Sequence, residues 1–217
     1  MKRLVIFDLD GTLLNTISDL GEAANHALES MGYPVHSLSA YPFYVGNGVT
    51  RLLERVCPED ARTPRNIELL RRHFVEYYDA HNTIHTLPYP GIPEMLLSLR
   101  KMDIAVAVAS NKYQAAVEAL VHHYFPDIEW AAIEGQKEDV PIKPDPSIVF
   151  EILGKAPTAK ADVLYVGDSG VDMETARRAC VESVGVTWGF RSIKELREHY
   201  ADHIINKPVE ILGFLGD

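Results

Sequence analysis

The sequence predicts an α/β fold built on a doubly wound parallel sheet, with a helical segment inserted after the first strand. Two observations lead to this prediction. From residue 91 onward, short apolar runs alternate with helical patterns, as expected where helices connect parallel strands. Residues 16–83, by contrast, show helical patterns without the alternation typical of strands.

Five runs are predicted to form the strands of the sheet. Each is apolar along most of its length, which is typical of strands that are buried on both faces. The predicted strands are residues 4–7, 104–109, 130–133, 163–166 and 181–187.

Helical patterns occupy the connections between these runs. Ser192 and Glu195 have the spacing of a capping box that opens a further helix, and Thr16 or Ser18 is expected to cap the first helix of the insert. The helices predicted in the insert are 18–31, 49–56 and 64–78, and those predicted beside the sheet are 91–101, 112–124, 146–153 and 171–179.

Composition restricts the classes of partner. The 217 residues carry 21 basic and 31 acidic side chains, a net charge of −10, which argues against binding to nucleic acid. A negatively charged substrate must therefore be attracted by local charge. No apolar stretch approaches the ~20 residues of a membrane span. We expect a cytoplasmic protein with no membrane partner, and the sequence leaves its oligomeric state open.

The most informative segment follows the first apolar run. Asp8 and Asp10 are one residue apart, so in an extended chain their carboxylates start on the same side. Two such carboxylates at the end of a buried strand repel each other unless a cation or a shared proton intervenes. The alternative is a simple turn, since Asp and Gly are common turn residues.

Polar residues occur next to apolar runs or prolines at three further places. Ser110 and Asn111 follow the second predicted strand, Lys143 precedes a proline, and Asp168 and Asp172 follow the fourth strand. Together with residues 8–12, these segments resemble the four motifs of the haloacid dehalogenase superfamily, in that family's order and over nearly the whole chain. The resemblance implies a Rossmann-like core and a helical cap of the first (C1) class.

The resemblance also implies where the domains meet. We expect a core of residues 1–14 and 84–217 and a cap of residues 15–83, with hinges at 14–16 and 82–87. Ligands of doubly wound sheets lie at the carboxyl ends of the strands, where the polar residues of the motifs are expected to meet.

Catalytic and metal-binding roles follow from the resemblance. Asp8 is expected to be the nucleophile, Asp10 the general acid and base, and Lys143 the cation that neutralises the phosphoryl group. Mg²⁺ would be held by Asp8, Asp168 and the backbone carbonyl of Asp10, with Asp172 orienting this set of ligands. The alternatives are a helix N-cap for Asp168, a first-turn acid for Asp172 and a solvated loop lysine for Lys143.

Substrate contacts are assigned in the same way. Ser110, the backbone N–H of Asn111 and Thr12 are expected to bind the phosphate, while Lys112 is a weaker candidate that we set aside. The sequence Gly46-Asn47-Gly48 before a predicted helix resembles the substrate-specificity loop in the cap of phosphoglycolate phosphatases, which implies that these three residues contact the substrate. The alternative is a turn between helices. Arg51 could bind a substrate carboxylate, although an exposed helix arginine is the alternative.

We therefore expect a Mg²⁺-dependent phosphatase that acts on a small phosphorylated metabolite through an aspartyl-phosphate, as phosphoglycolate phosphatases do. A mutase resembling β-phosphoglucomutase or another small-metabolite phosphatase is an alternative within the family. A catalytically silent binding module on the same fold is an alternative from another class, because fold alone does not prove function.

Overall fold

A computed structural model describes residues 1–216. The strands are β1 (Leu4–Phe7), β2 (Leu14–Asn15), β3 (Leu87–Pro88), β4 (Ala105–Tyr113), β5 (Trp130–Gln136), β6 (Val163–Gly167), β7 (Glu182–Val186) and β8 (His203–Ile205). The α-helices are α1 (Ile17–Ser30), α2 (Gly48–Val56), α3 (Pro64–His81), α4 (Ile92–Lys101), α5 (Gln114–Tyr124), α6 (Ser147–Lys155), α7 (Gly170–Ala179) and α8 (Ile193–Glu198). Short 3₁₀ segments occupy Leu38–Phe43, Glu59–Ala61, Lys160–Asp162 and Pro208–Phe214.

The main sheet is parallel throughout, and its strand order is β5-β4-β1-β6-β7-β8. Strand β1 lies at its centre, where Leu4 is paired with Ala105 of β4 and Val163 of β6. The carboxyl ends of these three strands consequently meet at one edge of the sheet. The predicted doubly wound α/β fold is confirmed.

Hydrophobic side chains form three buried clusters. Alternate residues of β1 point to opposite faces of the sheet: Val5 and Phe7 belong to one cluster, and Leu4 and Ile6 belong to another. The third cluster lies mainly among α1, α2 and α3 and includes Leu28, Leu53, Leu70 and Phe74. The inserted helices thus bury their apolar faces largely against one another, which leaves the strand ends free for a site.

The two connections between the inserted helices and the sheet are paired with each other. Asn15 of β2 lies opposite Leu87 of β3 in an antiparallel ribbon, and both residues lie within the predicted hinges. Beside the ribbon, the Asp19 carboxylate accepts hydrogen bonds from the backbone N–H groups of His85 and Thr86 and from the Thr86 hydroxyl. The division into core and cap at residues 15 and 83 remains a prediction.

Several element boundaries differ from the prediction. Strand β4 continues past residue 109 to Tyr113, because after an irregularity in the register Tyr113 pairs with Gln136 of β5. Helix α5 therefore begins at Gln114, two residues later than predicted. Strand β8 has only three residues, which is too short for its pattern to be recognised. No helix within residues 1–216 combines the length and apolar character that a membrane crossing requires.

The predicted helix caps are confirmed only in part. Thr16 occupies the N-cap position of α1, but its hydroxyl donates to Asp10 Oδ1 at 2.6 Å and makes no capping bond. At α8, Ser192 Oγ accepts from the backbone N–H of Glu195, as a capping box requires. The Glu195 carboxylate, however, accepts from the backbone N–H of Gly170 and thereby links α8 to α7.

Candidate active site

Three carboxylates converge at the carboxyl edge of the sheet. Asp8 follows β1, Asp168 follows β6, and Asp172 lies in the first turn of α7. Each has a carboxylate oxygen within 4.8 Å of an oxygen of the other two. The parallel topology therefore brings together residues that are 160 or more positions apart in the sequence.

Lys143 lies within this cluster and is almost completely buried. Its Nζ is 2.9 Å from Asp8 Oδ1 and 2.8 Å from Asp172 Oδ1, and it donates to the backbone carbonyl of Ala109 at 2.8 Å. Burial on its own disfavours the ammonium, but Asp172 and Asp8 outweigh it and hold the pKa of Lys143 well above its usual value. Lys143 is thus a fixed positive charge beside Asp8.

The single positive charge of Lys143 does not neutralise the negative charges of the three buried carboxylates. Burial and the charge of Asp172 raise the pKa of Asp8 to about 7 despite the opposing effect of Lys143. Burial, followed by the charges of Asp172 and Asp8, raises the pKa of Asp168 well above its usual range. The cluster therefore favours a bound cation, and its all-oxygen donor set is the kind that Mg²⁺ prefers.

Asp172 is held by protein donors on both of its oxygens. Oδ1 accepts from Lys143 Nζ, and Oδ2 accepts from the hydroxyl of Ser169 at 2.6 Å and from its backbone N–H at 3.1 Å. Ser169 in turn caps α7, so that the two residues form a capping box. Asp172 consequently orients Lys143 and the start of α7, and its expected role of orienting the metal ligands stays a prediction.

Gly11 allows Asp168 to approach the first motif closely. Its φ is +87°, and a Cβ at this position would lie 2.4 Å from Asp168 Oδ2. Any side chain would therefore displace the carboxylate, in addition to the strain of the left-handed backbone.

Asp10 forms an ion pair with a second lysine of the site, Lys112. Lys112 Nζ lies 3.0 Å from Asp10 Oδ1, and the Lys112 side chain is buried. The same ammonium lies 4.8 Å from the centre of the Tyr78 ring, which is contributed by α3. Lys112 was only a weaker candidate in the sequence, and the signal that could have identified it is its position directly after Ser110 and Asn111.

The remaining residues of the second motif surround the same space. The hydroxyl of Ser110 is buried and accepts from the backbone N–H of Lys112 at 3.2 Å. The Asn111 side chain binds both backbone groups of Lys143 and donates to the carbonyl of Gly46 at 3.1 Å. Asn111 therefore positions the Lys143 loop and connects it to the inserted segment.

These groups enclose a small cavity beneath the inserted helices. Its volume is about 50 Å³, on a scale where one water molecule needs roughly 10–15 Å³. The sheet side contributes mostly polar and charged residues, and the inserted segment contributes a mostly apolar wall. The lining includes Asp8, Asp10, Ser110, Lys112, Lys143 and Asp168 on one side and Leu20, Gly46, Gly48, Leu52 and Phe74 on the other.

Three residues predicted to bind substrate do not line this cavity. Arg51 is exposed and is paired with Glu54 at 2.6 Å. The Asn47 side chain accepts from Arg55 at 2.7 Å. Thr12 is fully buried, and within residues 1–216 its hydroxyl has no hydrogen-bond partner. The helical pattern indicated that Arg51 lies on a polar face, but not that this face is directed away from the sheet.

Residues 190 and 191, which no sequence pattern singled out, contact both Asp168 and the inserted segment. The backbone N–H of Phe190 donates to Asp168 Oδ2 at 2.6 Å. Next to it, the Arg191 guanidinium donates to the backbone carbonyls of Pro42 and Val45, the latter at 2.6 Å. Backbone acceptors leave no signature in a sequence, so no pattern could have identified Arg191.

Comparisons with known proteins agree with this geometry. The model of the haloacid dehalogenase-like hydrolases matches residues 5–186. A phosphoglycolate phosphatase of Aquifex aeolicus is 30% identical over 99% of this chain and 97% of its own length. A second, from Mesorhizobium japonicum, is 30% identical over 94% of this chain and 91% of its own length. The crystal structure of a predicted phosphoglycolate phosphatase from Haemophilus somnus superposes with a TM-score of 0.90 at 27% identity, covering 99% of this chain and 98% of that one.

Proposed function

This chain belongs to the haloacid dehalogenase-like hydrolases, and we propose that it is a Mg²⁺-dependent phosphatase acting on a small phosphomonoester of the phosphoglycolate type. The observation that carries the proposal is the pairing of two carboxylates with two lysines at one sheet edge. Asp8 is bound by Lys143, and Asp10 is bound by Lys112. Such a site supplies a nucleophile, a proton donor and positive charge within one cavity.

The proposed reaction has two steps. In the first, an Asp8 oxygen forms a bond to phosphorus, the ester P–O bond breaks, and the leaving oxygen takes its electron pair and a proton from Asp10. In the second, Asp10 accepts a proton from water as the water oxygen attacks phosphorus and the bond to Asp8 breaks. Phosphate is released, and both carboxyl groups return to their starting states.

Positive charge at the phosphoryl group comes from two sources. Lys143 is buried and fixed by three acceptors, so it needs little reorganisation during the reaction. Mg²⁺, held by Asp8, Asp168 and the backbone carbonyl of Asp10, would neutralise further charge on the phosphoryl oxygens. Ser110 lies in the cavity lining, where its hydroxyl can donate to the phosphate.

The position of the inserted helices over the cavity favours a small substrate. Residues 15–83 would act as a cap over a core of 1–14 and 84–217, and the paired ribbon of β2 and β3 would join the two. Closure of such a cap excludes water and strengthens the charge interactions inside. The cavity beneath it leaves little room beyond a phosphoryl group and a short substituent.

The proposal is tested with the Asp8→Asn variant. The amide has nearly the shape of the carboxylate, so the fold is expected to persist, whereas turnover of 2-phosphoglycolate and of an aryl phosphate is expected to be lost. The matched control is Asp60→Asn, an exposed position in the 3₁₀ segment of the cap. A folded Asp8→Asn protein that retains more than a few per cent of wild-type kcat would exclude the covalent mechanism. A wild-type protein that releases no phosphate from any ester would leave the silent binding module as the explanation.

A further inference from the structure

The ammonium of Lys112 has hydrogen-bonding capacity that the protein does not use. Its Nζ lies 3.0 Å from Asp10 Oδ1, and in the described part of the chain no other acceptor is bound to it. A lysine ammonium carries three N–H donors. Two donors thus remain available on a side chain that is only 4% exposed and lines the cavity.

The other two cations that line the cavity are committed to the protein. Lys143 has three acceptors, one for each of its donors. Arg191 holds the carbonyls of Pro42 and Val45. Within residues 1–216, Lys112 is therefore the cavity lysine with donors to spare.

The surroundings of Lys112 do not satisfy these donors. The wall opposite the sheet includes the apolar side chains of Leu20, Leu52 and Phe74, and the ring of Tyr78 covers one side of the ammonium. A buried charge without enough polar partners is costly, so an anion entering the cavity would be bound strongly at this point.

The position of Lys112 indicates which part of a substrate it meets. In the proposed reaction Asp10 protonates the ester oxygen, and Lys112 is bound to Asp10. Atoms attached to that oxygen on the side away from phosphorus consequently lie next to the ammonium. Arg51, the residue expected to bind a carboxylate, is paired with Glu54 outside the cavity.

We infer that Lys112 binds a second anionic group of the substrate, a carboxylate carried one or two carbons from the phosphoryl ester oxygen. The inference rests on the proposed phosphatase function and specifies its substrate class. It makes Lys112 the residue that selects phosphorylated small acids over neutral phosphate esters of the same length.

The test compares 2-phosphoglycolate with ethyl phosphate, which has the same two-carbon skeleton and lacks the carboxylate. Wild-type protein is expected to show the higher kcat/KM for 2-phosphoglycolate. The Lys112→Met variant is expected to lower the ratio of the two kcat/KM values by about 10- to 100-fold, the loss of a hydrogen-bonded charge pair. Any effect of the substitution through Asp10 is common to both substrates and cancels in this ratio.

Two further variants separate charge recognition from a structural role. Lys112→Arg keeps the charge and is expected to retain part of the preference. Lys194→Met makes the same substitution on an 82% exposed lysine of α8, and the ratio is expected to stay at the wild-type value. If circular dichroism shows that Lys112→Met is unfolded, Lys112→Gln takes its place.

The outcomes distinguish this inference from the proposed function. An unchanged ratio in a folded Lys112→Met protein overturns the inference, as does a wild-type protein that hydrolyses both esters without preference, and both results leave the phosphatase function intact. If the wild type hydrolyses neither ester, the proposed function fails. Calorimetry then decides the inference: an affinity difference between the two esters that Lys112→Met abolishes supports it, and any other result overturns it.

Discussion

Lys143 and Asp172 form an ion pair in which both side chains are almost fully buried, with 2.8 Å between Nζ and Oδ1. Because Lys143 also binds Asp8, it joins the loop before α6 to the proposed nucleophile and to the first turn of α7. Buried pairs of this kind are costly to break from one side, since the remaining charge cannot be solvated. We therefore expect the pair to stabilise the folded site in addition to the role proposed for Lys143 in catalysis.

Replacing Lys143 with Met should reduce the free energy of unfolding by about 3–5 kcal/mol and abolish turnover. The reason is that Asp8 and Asp172 would remain buried without their cation. Urea denaturation measures this loss of unfolding free energy, and a chelator is added so that no metal ion replaces the charge of Lys143. Lys194→Met, at an exposed lysine, should change stability by less than about 0.5 kcal/mol. A Lys143→Met protein as stable as this control would show that the ion pair does not support the fold.

Removal of the metal should abolish activity reversibly. We expect turnover to fall to background in excess chelator and to return with Mg²⁺, because Asp8, Asp10 and Asp168 provide only hard oxygen donors. Ca²⁺, which prefers longer bonds and more ligands, should restore activity poorly. Mg²⁺ at about 100 times its dissociation constant should also stabilise the fold by about 2.7 kcal/mol.

An Asp168→Asn variant provides the control for this experiment. It should bind Mg²⁺ more weakly and show a smaller thermal stabilisation at the same Mg²⁺ concentration. Full activity of the wild type in metal-free buffer would show that the carboxylate cluster serves another purpose.

Strand patterns, together with the resemblance to the four haloacid dehalogenase motifs, predicted much of this site. The acids after β1 and β6 follow buried apolar runs, and the parallel topology then places Asp8 and Asp168 together. Contacts between distant segments could not be predicted in this way. The bond from Arg191 to Val45 joins residues 146 positions apart and ends on a backbone carbonyl, an acceptor that every residue offers. Lys112 was set aside as a weaker candidate because it lies one residue past the second motif, and no local pattern shows that its ammonium reaches Asp10.

In the inserted segment, too, the sequence predicted the helices but not their contacts with distant residues. Amphipathic patterns correctly predicted three helices there, since each buries one apolar face in a shared cluster. They did not indicate which loop residues face the sheet. Gly46 and Gly48 do so, whereas the Asn47 side chain between them is held by Arg55.

The pH dependence of stability should include a contribution from Glu134 in β5. Burial on its own would raise the pKa of Glu134, but hydrogen bonds from Lys137 and Lys155 outweigh it and hold the pKa below its usual range. A depressed pKa in the folded protein stabilises the fold above the unfolded-state pKa of about 4.3. This stabilisation is lost as the pH falls through the folded-state pKa.

The Glu134→Gln variant isolates that contribution. At neutral pH it should be less stable than the wild type by about 1–3 kcal/mol, and the difference should shrink as the pH falls below 4. Urea unfolding at a series of pH values measures it. Glu198→Gln, at an exposed residue in a 3.7 Å ion pair, should change stability by less than about 0.5 kcal/mol. A Glu134→Gln difference that grows on acidification would contradict the assigned direction of the pKa shift.

The close approach of the loop at residues 46–48 to the sheet can be tested at Gly48. Its φ is +80°, and a Cβ there would lie 2.9 Å from Gln136 Oε1 and 3.3 Å from the backbone carbonyl of Asn111. Gln136 can move aside, but the Asn111 backbone belongs to the strand that carries Ser110 and Lys112. Gly48→Ala should therefore hold the loop away from the site and lower kcat/KM at least about tenfold, or ~1.4 kcal/mol of transition-state stabilisation.

Gly32 offers a matched control for this substitution. Its φ is +71°, close to that of Gly48, and no atom lies within 4 Å of the position of its Cβ. Gly32→Ala should thus carry the same backbone strain, about 1 kcal/mol of stability, and leave kcat/KM unchanged. Thermal denaturation of the two variants measures the backbone strain, and steady-state kinetics measures the effect of moving the loop away from the sheet. Equal kcat/KM values for the two variants would mean that catalysis does not require the close approach of Gly48 to Asn111.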